Sequence, residues 1–191
     1  MISLVRPAAV ISALVLTVAG CGGGSDSDGD SPSKDTESSA AAGDEIKGKG
    51  YTFNAPEGWE TPEQDVPGTE AADTFAADLS DSDGFADNVN ILIQDPSPGE
   101  LKDGIEDELT GQLEAAGAKD VVAQDRTTVD GDEAVHISSS QANAAQNLSE
   151  QYYVVHDDVL YVITTSYSKD VSQDDRTEID KSILASWKWA A

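Results

Sequence analysis

The run Tyr152-Tyr153-Val154-Val155, the acidic pair Asp157-Asp158 and the return Val159-Leu160-Tyr161-Val162-Ile163-Thr164-Thr165 leave this stretch of chain little choice of structure. Two segments rich in aromatic and β-branched residues, joined by a short polar turn, form an antiparallel hairpin. A second hairpin is expected where strand signals over Asp120 to Val129 meet Asp130-Gly131 and continue into Glu133 to Ser139. The Asp-Gly step supplies the backbone freedom such a turn needs. The polar segment Gln141 to Glu150 links the two.

Earlier in the chain, Tyr51-Thr52-Phe53 alternates and then enters the turn Asn54-Ala55-Pro56-Glu57-Gly58-Trp59. A weaker strand is expected at Thr74 to Ala77. Asn88 to Gln94 is a stronger one, with Val89, Ile91 and Ile93 on one face and Leu92 on the other, the pattern of a central strand covered mainly on one side. Pro96-Ser97-Pro98-Gly99 ends it. Leu101, Ile105, Leu109 and Leu113 then recur every four residues, predicting an amphipathic helix from Glu100 to Ala116 with Gly117 as its stop. A second helix is expected from about Ser172 to Ala185, with Ile179, Ile183 and Leu184 inward, followed by a short closing strand at Ser186-Trp187-Lys188-Trp189. Strands, a helix, two hairpins and a final helix predict an α+β fold, an antiparallel sheet with helices packed on it.

The beginning of the chain has a different composition. Arg6 precedes an apolar run from Pro7 to Val18, which ends in Val18-Ala19-Gly20-Cys21. Pro7 to Gly20 is 14 residues, about 21 Å as a helix against a hydrocarbon core of about 30 Å, too short to span. The pattern resembles a bacterial lipoprotein signal. Small residues let a peptidase cut after Gly20, and the Cys21 thiol receives the lipid. That resemblance implies a signal segment over residues 1–20 and a palmitate-type acyl anchor on Cys21 that holds the protein at the extracytoplasmic face of a cell membrane. Because Cys21 is the only cysteine, an internal disulfide, thiol catalysis and a cysteine-based zinc site are excluded.

Residues 21–46 are rich in Gly, Ser, Asp and Ala and lack apolar periodicity, so they read as an acidic tether with a reach of roughly 25 to 30 Å. Asp26, Asp28 and Asp30 alternate like calcium ligands, but the glycine and glutamate spacing of an EF-hand is missing. Residues 47–191 remain as one globular domain. Of 37 acidic and 11 basic side chains, seven and two precede Lys47, so the domain keeps 30 and nine, a formal charge of −21. Such a surface excludes binding to a phosphate backbone, so no nucleic-acid partner is expected.

In order, the opening Tyr51-Thr52-Phe53 to Pro56-Glu57-Gly58-Trp59, the helix after Pro98, the Gly131 hairpin, the Tyr161 strand and the terminal helix with Trp187 resemble the PsbP-like fold over about residues 50 to 190. The resemblance implies an α/β/α sandwich with a central antiparallel sheet flanked by helices. That fold is shared by photosystem accessory subunits, the Ran-binding factor Mog and LpqN-type mycobacterial lipoproteins, mostly adaptors or binders. The last group fits best, since it also has a lipobox and tether. The shared motifs are packing and turn residues, so no site residue carries over.

Candidate sites are few. No nucleophile elbow, Ser-x-x-Lys motif, dinucleotide fingerprint or phosphate loop is present, and neither a cofactor nor a metal is expected. His136 lies within a strand run and reads as half-buried, whereas His156 with Asp157 and Asp158 sits at a wet hairpin tip. Trp59, Trp187 and Trp189 are the candidate contact residues. Trp187 and Trp189 share parity on a short strand, so one of them is placed to line an apolar pocket or a contact patch, although most aromatics are expected in the core. The expectation is a non-catalytic, lipid-anchored binding module contacting another envelope component. A carrier of an apolar or glycolipid ligand between sheet and helix is the alternative. An envelope hydrolase built on His136 or His156 beside a carboxylate is a third.

Overall fold

The computed structural model describes residues 38–64, 66–97, 99–141 and 146–190. The signal segment, the cleavage position Gly20, the lipidation position Cys21 and the tether as far as residue 37 lie outside the described residues, as do Pro98 and residues 142–145 of the polar link.

Along the described chain four strands precede the first helix, five lie between the two helices and one follows the second. A small sheet is formed by β1 (Glu45–Gly48), β2 (Tyr51–Asn54) and β10 (Lys188–Trp189), with β2 in the middle. The large antiparallel sheet contains β3 (Thr74–Ala77), β4 (Asn88–Gln94), β9 (Val159–Tyr167), β8 (Leu148–His156), β7 (Asp132–Gln141) and β5 (Ala118–Ala123), in that spatial order, with β6 (Thr127–Val129) also paired to β7. The helices are α1 (Ile105–Ala115) and α2 (Gln173–Ser186). The fold is α+β and rich in sheet. It departs from the expected α/β/α sandwich because α2 shares its side of the large sheet with the small one.

The hairpin β8–β9 has the expected residues and turn. Tyr152 pairs with Ile163, Val154 with Tyr161 and His156 with Val159, while Asp157 and Asp158 both adopt positive φ in the turn. Alternation along these strands produces two cores. Val135, Ile137, Tyr153 and Leu160 meet Leu109 of α1 on one face. Val89, Ile91, Tyr152, Val154 and Ile163 meet Ile183 and Leu184 of α2 and the aromatics of the small sheet on the other. β8 and β9 are therefore buried on both faces, which explains why they read as nearly continuous apolar runs.

Three boundaries differ from expectation. The first helix begins at Ile105, because Gly104 turns through φ 84° and Arg126 donates to the carbonyl oxygens of Leu101 and Lys102, holding that segment as a turn. Leu101 still packs against the α1 core. The run Asp120 to Val129 is two strands, β5 and β6, parted at residues 124–126, and β5 itself carries a register shift between Lys119 and Val122 with Asp120 at φ 49°. The folded region also starts before residue 47. Ala41 is buried and donates its N–H to Ser182 O at 2.9 Å, and Glu45 and Ile46 pair with Asn54 and Phe53. The end drawn for the tether thus falls inside β1.

Candidate functional site

Beneath α2 lies a cluster of polar groups that the sequence did not single out. Ser172 caps the helix by accepting Asp175 N–H at 3.2 Å, which sets the helical phase. Asp180, Ile183 and Leu184 then share the inward face. Asp180 is 2% exposed. Its carboxylate accepts Thr165 Oγ1 at 2.7 Å and the Tyr167 hydroxyl on one oxygen, and the Tyr152 hydroxyl at 2.9 Å on the other. Burial pushes the Asp180 carboxyl up to about 6, although these three donors pull the other way. The same burial, with the Asp180 charge nearby, raises the Tyr152 and Tyr167 phenols well above their ordinary range.

Two residues from Tyr152 and opposite Thr165, Glu150 on β8 links Arg176 to His136. Its Oε1 accepts Arg176 Nε at 3.2 Å and its Oε2 lies 2.9 Å from His136 Nε2. The His136 ring is stacked on Tyr152, centroids 4.3 Å apart. His136 is thus half-buried in its strand, with Glu150 as partner.

The second histidine belongs to a clasp at the other end of the sheet. His156 Nδ1 lies 2.7 Å from Asp132 Oδ2 across the hairpin tips, and its ring lies flat on Trp189, 4.2 Å between centroids and 5° from parallel. Asp130 accepts Lys188 Nζ at 2.6 Å and Trp189 N–H at 3.0 Å, which ties β10 to the β6–β7 turn. The Lys188 contact holds the Asp130 carboxyl below its ordinary value. Neither histidine lines the groove at Trp59 or the pocket at Trp187 described next. Among the described residues, no group of three or more His, Cys, Asp or Glu side chains is placed to hold a metal, and no helix is long and apolar enough to cross a membrane.

The three tryptophans are separated by the fold. Trp187 is fully buried, stacked on Tyr51 at 4.4 Å and 6° and on Phe53 at 5.6 Å, with one edge against a pocket of about 280 Å³ between α2 and β6. Trp189 is partly buried between His156 and Tyr161. Trp59 is 6% exposed and sits at a groove of about 820 Å³ that Ile46, Ala55, Val66 and Phe75 also line. Glu45, Glu60 and Glu63 stand exposed on its rim. Of the candidate contact residues, Trp59 alone lies at a large open groove.

This two-sheet arrangement with α2 across it is a PsbP-like fold. No family model matches the sequence, and no curated protein matches it. Among solved structures, the chain is similar to cyanobacterial PsbP (CyanoP) from Synechocystis sp. PCC 6803, with TM-score 0.54 and 18% identity over 85% of this chain and 98% of that one. It is also similar to the Ran-binding protein Mog1p of Saccharomyces cerevisiae, with TM-score 0.52 and 11% identity over 78% of this chain and 96% of that one. LpqN of Mycobacterium tuberculosis, described as involved in cell envelope biogenesis, matches with TM-score 0.46 and 11% identity over 74% and 83% of the two chains. The chain spans only 45% of a longer Bacteroides thetaiotaomicron VPI-5482 structure that it matches with TM-score 0.47.

Proposed function

We propose that this protein is a non-catalytic binding module of the bacterial cell envelope, held at the extracytoplasmic face of a membrane by an acylated Cys21 and contacting another envelope component. The observation that carries the reading is how the described groups suited to acid–base chemistry are engaged. Asp180 is occupied by three hydroxyls, Glu150 by Arg176 and His136, and His156 by Asp132 and the Trp189 ring. What remains open is contact surface. A fold does not carry a function by itself, but Mog1p, matched over nearly its whole length, shows that this architecture hosts protein binding. A carrier of an apolar or glycolipid ligand has less support, since Trp187 is packed between aromatic rings and the groove at Trp59 is rimmed by carboxylates.

Two measurements test the reading. Labelling with a palmitate analogue in the native host should mark the wild type and not Cys21→Ala, which should also leave the membrane fraction. In-cell crosslinking of the full lipoprotein should trap one dominant envelope protein, lost when the domain is exchanged and the anchor kept. Lipid or glycan adducts alone would favour a carrier, and no specific adduct would remove the binding reading.

A further inference from the structure

We infer that the groove at Trp59 is the module's contact surface, and that it receives an extended, lysine- or arginine-rich segment of a partner protein laid along a free sheet edge. This deepens the binding-module reading and rests on it. The groove runs between two strands that each end a sheet. β1 is outermost in the small sheet and β3 in the large one, and Glu45 to Lys47 and Asp73 to Phe75 line opposite walls. A bare edge offers unpaired backbone donors and acceptors to another extended chain.

The protein itself shows what the β3 edge accepts. Glu60 N–H donates to Ala77 O at 2.8 Å and Ala77 N–H to Glu60 O at 2.9 Å, an isolated antiparallel pair on the outer side of β3. The rest of that side has no strand beside it among the described residues. β5, the other end of the large sheet, is different. Its register shift and the positive φ at Asp120 break the flat edge, as strands protected against added neighbours do.

Floor and rim specify the partner's chemistry. Trp59, Ile46 and Phe75 give the floor an apolar character suited to alternate side chains of an added strand. Glu45, Glu60 and Glu63 are exposed on the rim. Lys47 is the only cation among the described lining residues, and Glu45 pairs with it at 3.0 Å. With a formal charge of −26 on the whole chain, the long-range field draws a cationic segment in and repels an acidic one.

The test titrates the purified, isotope-labelled full chain with a blocked six-residue peptide alternating lysine and valine. Amide shifts should concentrate in β1 and β3. Glu45→Gln/Glu60→Gln/Glu63→Gln should weaken binding at least tenfold with an unchanged melt. Asp103→Asn/Glu108→Gln/Glu114→Gln, which removes equal charge around α1, should change it less than twofold. Equal losses for both triples, shifts centred on β5, or no binding would overturn the inference. Full displacement by spermine alone would also overturn it, by making the groove a small-polycation site. In cells, a wild-type crosslink that survives the groove triple defeats the groove assignment and leaves the binding reading standing, whereas no specific crosslink from the wild type defeats that reading itself.

Discussion

The Asp180 carboxylate accepts the Tyr152 hydroxyl at 2.9 Å across the interface between α2 and β8, in a site where the acid is 2% exposed. Its pKa rises from 3.8 to about 6 because burial outweighs three hydrogen bonds. The folded chain therefore binds this proton more tightly than the unfolded one. Stability from this group is fully present below about pH 4, declines as pH rises and levels off above about 6, a change of about 3 kcal/mol at 1.36 kcal/mol per unit. Asp180→Asn keeps an acceptor for Thr165 and Tyr167 and offers its amide to Tyr152 while losing the titration. The variant should gain about 3 kcal/mol relative to wild type between pH 4 and pH 7, read from urea midpoints across that range. Asp87, also pushed up to about 6 by burial, keeps its own slope in both proteins, so the difference isolates Asp180. A difference that stays flat with pH would count against the assignment.

Glu150 is nearly as enclosed, with a side chain 8% exposed and its two oxygens on Arg176 and His136. Removing one partner of a buried pair leaves an uncompensated charge, which costs more than the pair contributes. Arg176→Met should lose about 3 kcal/mol, and adding Glu150→Gln should restore about 1 to 2 of it, a coupling that a double-mutant cycle measures by equilibrium unfolding. Additive losses would mean that the two side chains act separately.

Much of the scaffold was legible because its signals are local. The alternation at Tyr51 to Phe53, the run at Asn88 to Gln94, the Asp-Gly and Asp-Asp turns and the apolar spacing of Ile179, Ile183 and Leu184 each depend on residues a few positions apart. The helix after Pro98 was drawn too long because Leu101 fits the four-residue spacing, and only Arg126, 25 residues on, holds its carbonyl oxygen in a turn. Asp180 was passed over for a related reason. Its spacing from Ile183 and Leu184 puts it on the inward face, but an acid there makes sense only once Tyr152, Thr165 and Tyr167 are known to arrive beneath it. That follows from the β8–β9 register and the docking of α2, neither of which is written in one segment. The Trp59 groove was half legible, since the tryptophan stood out while the pairing of two sheet edges around it did not.

Gly43 fixes where the chain enters the small sheet. A Cβ there would lie 2.5 Å from the carbonyl oxygens of both Ala55 and Pro56, backbone atoms that cannot swing aside. Gly43→Ala should cost roughly 1 to 3 kcal/mol through this overpacking and should loosen β1 first. Hydrogen exchange is the suitable readout, with protection lost at Ile46 and Gly48, the residues whose amides face β2, while the β8–β9 amides keep theirs. Uniform loss across both sheets would show that β1 unfolds only with the whole domain.

Trp187 is the largest fully buried side chain among the described residues, and its indole N–H has no acceptor among them. Its contribution is therefore area and stacking against Tyr51 and Phe53, with no hydrogen bond to lose. Trp187→Phe keeps a ring between its neighbours and should cost about 1 to 2 kcal/mol, whereas Trp187→Ala leaves a cavity and should cost about 3 to 5. The short strand β10 follows directly after this residue and pairs with Thr52 and Tyr51. In the alanine variant, Trp189 should accordingly become solvent-exposed and its emission shift to the red before global unfolding. If phenylalanine proved as damaging as alanine, the indole N–H would have to be making a polar contact that geometry alone does not provide.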